Sequence, residues 1–285
     1  MSRTVYVNGA FVPEEEATIS VFDRGFLFAD GVYEVTTVLG GRLIDFAGHM
    51  ARLRRSLAEL AMDVPADETE ILSIHRELVA RNGIEEGMVY LQVTRGAADR
   101  DFAFPPAGTR PSLVLFTQEK AVSDNPAAEK GLSVVTVPDQ RWARRDIKTV
   151  QLLYPSLAKM EAKARGADDA WMVEDGLVTE GTSNNAWIIL GDGTIVTRPR
   201  SEAILHGITR SAVLRLAEEA GHSFVERPFS VEEAQGAAEA FITSASAFVM
   251  PVVRIDGVPV GAGVPGSLSR RLRQIYVEEA RRTAI

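Results

Sequence analysis

The chain has 285 residues, which is enough for one large domain or two ordinary ones with a sizeable core. Its 46% apolar and 25% charged residues are the balance of a globular protein. The net charge of −8 and the lack of a basic block argue against nucleic acid as a partner. The absence of cysteine excludes disulfides, thiolate metal sites and a cysteine nucleophile. The opening "MSRTVYVNGAFVPEEE" lacks the apolar core of a signal peptide, and no run approaches the roughly 18–20 apolar residues of a membrane span. A cytoplasmic protein without a membrane partner is the expectation.

"TVYVNGAFV" carries Asn8-Gly9 between β-type residues, a strong hairpin signal. "GVYEVTTVLGGRLIDF" predicts a second hairpin around Gly40-Gly41. "AGHMARLRRSLAELAM" has Met50, Leu53, Leu57 and Leu60 on one helical face. "DETEILSIHRELVARNG" predicts a helix with an acidic start and a glycine after its end. Strands are expected at "GMVYLQVTRG" and "PSLVLFTQ". The polar stretch 119–127, "EKAVSDNPA", reads as a linker between a smaller N-terminal domain, 1–118, and a larger C-terminal one, 128–285.

Beyond it come a strand at "GLSVVTVP", a helix ending at Gly166, a strand at "DAWMVED" and a turn at Asp175-Gly176. "LVTEGTSNNAWIIL", a Gly-Asp-Gly turn and "TIVTRP" follow. "TRSAVLRLAEEAG" predicts a helix, "AFITSASAFVMPVVRIDG" a strand-like run with small polar residues inside, and "SLSRRLRQIYVEEARR" a terminal helix. Strands and helices mix without strict alternation, which points to two mixed α and β domains and away from one doubly wound sheet.

The chain has five lysines, and Lys148 stands where a polar basic run gives way to the apolar "TVQLLYPSLA". Desolvation at such a border lowers an ammonium pKa, and a neutral amine can condense with an aldehyde. On position alone, Lys148 reads first as a snorkelling surface lysine. Glu180 follows a β-type run and precedes Gly181; it could hold a pyridinium nitrogen protonated or simply end a strand in solvent. Gly207, Ile208 and Thr209 open a predicted helix, either as an anion site or as a plain cap. Thr243, Ser244 and Ser246 could grip a phosphate or form a bulged strand. Arg52 could pair with a phosphate or remain a solvated helix arginine.

The order of these motifs gives them meaning. From "DRGFLFADGVYEV" through "HMARLRRS", "YLQVTRG", "DIKTVQLL", "TEGTSNN" and "LHGITR" to "ITSASAFVMPV", nearly the whole chain resembles the fold-type IV, or class IV, pyridoxal-phosphate aminotransferases. Within them it is most similar to the D-amino acid transaminase branch. The resemblance implies a mixed α and β two-domain fold with the active site between the domains, a homodimer, and pyridoxal 5'-phosphate as cofactor. It implies that Lys148 carries the cofactor as a Schiff base and shuttles the proton. Glu180 would bind the pyridine nitrogen. Arg52, Ile208, Thr209 and the Ser244-Ala245 turn would hold the phosphate. Where Ala245 stands, relatives of this branch often have a hydroxyl residue.

The resemblance further places Tyr33 near the substrate carboxylate and matches Arg100 in "VTRGAADRDFAFP" to the arginine that clamps it. It departs at Phe102, where such enzymes usually carry a histidine. That predicts weaker discrimination for a carboxylate, with some activity on (R)-amines or larger apolar D-amino acids. The expected reaction is ping-pong transamination of D-amino acids with a 2-oxo acid acceptor such as 2-oxoglutarate or pyruvate. Alternatives are a branched-chain or (R)-selective amine aminotransferase, an aminodeoxychorismate lyase, which Tyr33 and Arg100 disfavour, and a non-enzymatic binding protein whose Lys148 never takes up cofactor.

Overall fold

The structure is a computed structural model and describes residues 2–285. The chain divides into two compact units. The first holds residues up to Ala121 together with Ile147–Gln151 and Thr283–Ile285; the second holds Val122–Asp146 and Leu152–Arg282. The division after Ala121 falls within the polar stretch 119–127. The segment 147–151, which contains Lys148, belongs to the first unit, whereas linear reading of the chain assigns it to the C-terminal domain.

In the first unit, β1 (Thr4–Val7) and β2 (Ala10–Pro13) form the Asn8-Gly9 hairpin, with both turn residues at positive φ. A short helix α1 (Arg24–Phe28) starts at Asp23, whose carboxylate accepts the Gly25 N–H at 2.8 Å. Then come β3 (Gly31–Leu39), β4 (Arg42–Leu43), helices α2 (Phe46–Glu59) and α3 (Glu68–Arg81), and strands β5 (Glu86–Thr94) and β6 (Ser112–Glu119). The described strands form one antiparallel sheet in the order β2-β1-β6-β5-β3-β4. Alternation decides its faces: Val32, Val89, Leu91 and Val93 are fully buried, and α2 and α3 pack on the sheet. Tyr33, Tyr90 and Phe116 stack in a row and are only half-buried.

The second unit contains α4 (Pro126–Lys130), β7 (Leu132–Pro138), α5 (Leu153–Ala164), β8 (Asp169–Glu174), β9 (Leu177–Gly181), β10 (Asn185–Ile189), β11 (Ile195–Thr197) and α6 (Ile208–Glu219). It continues with β12 (Phe224–Glu226), α7 (Val231–Gln235), β13 (Glu239–Ser244), β14 (Phe248–Ile255), β15 (Val258–Pro259) and α8 (Ser267–Thr283), whose final residue belongs to the first unit. Its mixed sheet runs β12-β11-β10-β13-β14-β7-β8-β9, with β15 on β14. The core is built on Trp171, Ile188, Phe229, Ile242 and Met250. The run "AFITSASAFVMPVVRIDG" is a hairpin and not one strand. It breaks at residues 245–247, and Phe248 takes a positive φ of 61° while fully buried. Arg273 of α8 secures this turn by donating to the carbonyls of Ala247 (2.8 Å) and Val249 (2.9 Å).

One buried charge ties α2 to β3. Glu34 points towards α2 with no solvent exposure, and Arg52 donates from Nε and Nη2 to its two oxygens, each at 2.7 Å. His49 Nδ1 lies 2.7 Å from the same carboxylate. Burial alone would raise the Glu34 pKa, but the Arg52 charge, its hydrogen bonds and His49 outweigh burial and hold it at about 2. Because this value is below the ordinary 4.5, the stabilisation is full above pH 4.5 and is lost as pH falls through 2. At neutral pH the shift corresponds to about 3 kcal/mol. Glu34→Gln should therefore destabilise the protein at pH 7, and the gap from the parent should close as unfolding is measured at successively lower pH. A gap that stays constant down to pH 2 contradicts this account.

Candidate active site

Lys148 lies in a strap, 147–151, that joins the free edge of β3. The Tyr33 N–H donates to the Lys148 carbonyl at 3.0 Å, and the Val150 N–H donates to the Gly31 carbonyl at 3.1 Å. Val32 and Thr149 form an antiparallel bridge between these bonds. The Lys148 N–H donates at 3.4 Å to the Ser56 hydroxyl on α2, one turn beyond Arg52. The strap is therefore fixed along its backbone, while the half-buried Lys148 side chain places Nζ 4.1 Å from the centre of the Tyr33 ring. Residues far apart in the chain are thus brought together: Lys148, Tyr33 and, through α2, Arg52. Two of the Arg52 donors serve Glu34, so Arg52 is a held guanidinium and not a solvated one.

Glu180, at the end of β9, is buried and not solvated. Its carboxylate accepts Arg141 Nη1 at 2.5 Å, Asn185 Nδ2 at 2.9 Å and the Leu205 N–H at 3.1 Å. Burial pushes its pKa up, against the opposing pull of Arg141 and the Leu205 N–H. Arg141 is in turn shared with Asp139, to which it donates from Nε (3.0 Å) and Nη2 (2.6 Å). Burial opposes the charge on Arg141, but these two carboxylates outweigh it and keep the guanidinium firmly protonated.

The phosphate candidates of the second unit connect to this carboxylate through Asn185. Asn185, held on Glu180, also donates to the Leu205 carbonyl at 2.9 Å, two residues before the Gly207 N-cap of α6. Gly207 has no room for a side chain, since a Cβ there would stand 2.1 Å from Asn185 Oδ1. No side chain caps α6, so Ile208 and the buried Thr209 open a twelve-residue helix with its first amides uncapped. In the sheet Asn185 faces Thr243, and β13 ends next at Ser244, followed by Ala245 in the turn. Glu180, Ile208, Thr209, Ser244 and Ala245 therefore lie along one connected stretch of the second unit. Buried carboxylate, uncapped helix start and small-residue turn fit a ring nitrogen and a phosphate of one cofactor.

Arg100 stands apart from Lys148 and Tyr33. It lies exposed in the loop between β5 and β6, with its guanidinium carbon 5.3 Å from the Phe28 ring centre and 5.5 Å from that of Phe102. Among the described residues no carboxylate pairs with it. Phe102 is 80% exposed and meets Phe28 edge-on at 5.7 Å between ring centres. It therefore packs against the arginine.

Sequence reasoning passes over Arg141, Asn185, Glu34 and Ser56. Arg141 lies far ahead of Glu180 in the chain, at a separation that carries no pattern. Asn185 and Glu34 sit inside quoted motifs, but their partners are set by the fold.

A family model described as Amino-transferase class IV matches residues 31–255. The D-alanine aminotransferase of Staphylococcus aureus (strain MSSA476) is 39% identical over 272 residues, covering 95% of each chain. That of Bacillus licheniformis is 40% identical over 269 residues and 94% of each chain. In three dimensions the chain is similar to the branched-chain amino acid aminotransferase of T.th. with pyridoxamine 5'-phosphate. The TM-score is 0.88 at 28% identity, over 98% of this chain and 94% of that one. The Escherichia coli branched-chain enzyme gives a TM-score of 0.89 at 22% identity, over 98% and 95%, a likeness of fold alone. The resemblance read from the motifs and the mixed α and β fold it implied are both upheld. The chain belongs to the class IV aminotransferases and is an aminotransferase enzyme.

Proposed function

We propose that this enzyme transfers the amino group of D-amino acids, of the D-alanine type, to a 2-oxo acid such as 2-oxoglutarate or pyruvate, with pyridoxal 5'-phosphate as cofactor. The observation that carries the donor class is the 39–40% identity, over nearly the whole chain, to enzymes named D-alanine aminotransferases. The strap-held Lys148 amine and the buried Glu180 carboxylate support the cofactor chemistry. When bound, the cofactor supplies an aldehyde that condenses with amines and a ring that accepts the electron pair released at the donor's Cα.

Each residue then has a task. Lys148 would hold the cofactor covalently at rest, and once exchanged for the donor amine its free amine would be the base that moves the proton from the donor's Cα. Glu180 hydrogen-bonds the ring nitrogen, and Arg141 and Asn185 keep its carboxylate in place. Arg52, the first amides of α6 at Ile208 and Thr209, and the Ser244-Ala245 turn bind the phosphate. Tyr33 lines the donor side, and Arg100, set apart from Lys148 within one chain, reaches the site of the neighbouring subunit in the homodimer and takes the donor carboxylate there in a charge-assisted pair. Water would cleave the bond between the donor carbon and its nitrogen and supply the oxygen of the departing keto acid, and the acceptor would run the same sequence in reverse in a ping-pong cycle. A cytoplasmic homodimer is part of this reading. Among the described residues no helix is long and apolar enough to cross a membrane.

A second reading has a specific observation behind it. Branched-chain enzymes share the fold at a TM-score of 0.88, and the apolar Phe102 suits donors with a larger or uncharged group. Half-reactions of the cofactor-loaded protein with D-alanine, L-leucine and (R)-1-phenylethylamine separate these cases. Rapid change in the bound-cofactor absorbance with D-alanine supports the D-amino acid reading, and change with L-leucine alone overturns it. Lys148→Ala should abolish the D-alanine half-reaction, and turnover retained by that variant contradicts the role given to Lys148.

Phe102→His adds a hydrogen-bond donor beside Arg100. A hydrogen bond to a charged group contributes about 1.5–3 kcal/mol. The ratio of D-alanine to (R)-1-phenylethylamine activity should therefore rise by about tenfold or more. An unchanged ratio shows that Phe102 does not set carboxylate selectivity.

A further inference from the structure

The loop that presents Arg100 is held from inside by another arginine. Arg24, the first residue of α1, is 3% exposed. Its Nε donates to Asp30 at 2.8 Å, and its Nη1 donates to the main-chain carbonyls of Asp101 (2.7 Å) and Ala103 (3.3 Å). Those carbonyls lie on either side of Phe102, with Asp101 directly after Arg100. Its guanidinium also lies 4.5 Å from the Phe28 ring centre, and Phe28 is one of the two rings against Arg100.

A second arginine reinforces the arrangement. Arg95, just past the end of β5, pairs with the same Asp30 from Nε (2.8 Å) and Nη2 (3.1 Å). Its guanidinium packs 3.7 Å from the ring centre of Phe104, which is 62% exposed. The result is an alternating stack of Arg95, Phe104, Arg24, Phe28, Arg100 and Phe102. Cations and ring faces attract, and each contact in the stack restricts the next. Two guanidinium groups on one shared carboxylate fix the base of the stack, while the exposed Arg100, between Phe28 and Phe102, has no carboxylate partner among the described residues.

We propose that Arg24 is a positioning residue for the donor. Through the Asp101 and Ala103 carbonyls and the face of Phe28, it sets the direction of the Arg100 guanidinium and so governs affinity for donors that carry a carboxylate. This inference rests on the reading of Arg100 as the carboxylate contact. Lysine in place of Arg24 would keep the charge facing Asp30, but a single ammonium cannot reproduce the fork that reaches Asp30 and two carbonyls at once.

The test is steady-state kinetics on the cofactor-loaded enzyme with D-alanine, together with the dissociation constant for pyridoxal phosphate. Arg24→Lys should raise KM for D-alanine by about tenfold, consistent with losing hydrogen bonds from a charged donor. Both kcat at saturation and cofactor affinity should stay within about twofold, since no contact to Lys148 or Glu180 is touched. Phe104→Ala, at an exposed position that does not endanger folding, should shift KM in the same direction. Arg100→Ala provides the reference. If Arg100→Ala raises KM but neither Arg24→Lys nor Phe104→Ala does, the positioning role is overturned and the reading of Arg100 stands. If Arg100→Ala leaves KM unchanged, the reading of Arg100 itself fails. A fall in kcat or cofactor affinity as large as the change in KM would make Arg24 merely structural and would also overturn the proposal.

Discussion

A short strap on the free edge of one strand is the constraint on which the rest depends. The Tyr33 N–H to Lys148 carbonyl bond and the Val150 N–H to Gly31 carbonyl bond set the register of residues 147–151 against β3. A register error of one residue would turn the lysine side chain to the opposite face. With the register fixed, the amine stands over Tyr33, and Ser56 of α2 receives the lysine's own N–H. A long side chain is thereby anchored at its root, with its amine over the Tyr33 ring. Such an arrangement suits a group that must hold a cofactor, release it and then carry a proton.

The protein repeats one device, a carboxylate withdrawn from solvent and held by arginine. Glu34 takes both donors of one face of Arg52, Asp30 is shared by Arg24 and Arg95, and Glu180 is reached by Arg141. Removing one partner from a buried pair leaves a charge without compensation, which typically destabilises by about 3–5 kcal/mol. Each pair also fixes the direction of a group with a proposed task. The differences between them are informative. Glu34 is held well below the usual carboxylate range, whereas burial raises Glu180 despite Arg141. A carboxyl of the second kind is suited to share a proton with an aromatic nitrogen.

Much of the fold was legible because its signals are local. Asn8-Gly9 specifies its hairpin through positive φ at both positions, and the apolar spacing of Met50, Leu53 and Leu57 specifies the buried face of α2. What escaped was decided at long range. The return of residues 147–151 to the first unit depends on an unpaired edge of β3, which no local pattern announces. The break in "FITSASAFV" depends on a buried phenylalanine in a left-handed conformation, stabilised by Arg273 from the far end of the chain. The candidate site followed the same division. Lys148 and Glu180 could be named from motif order, but Arg141, Glu34 and Arg24 gain their meaning only from partners distant in the chain.

The central claim is that the strap exists to present Lys148 to an aldehyde cofactor. The most direct measurement is borohydride reduction of the pyridoxal phosphate-loaded protein, followed by proteolysis and mass spectrometry of the peptides. The account predicts a pyridoxyl group on Lys148 and on none of the other four lysines of the chain. A label on Lys159 or Lys163, or a protein that binds the cofactor without any stable label, would contradict it.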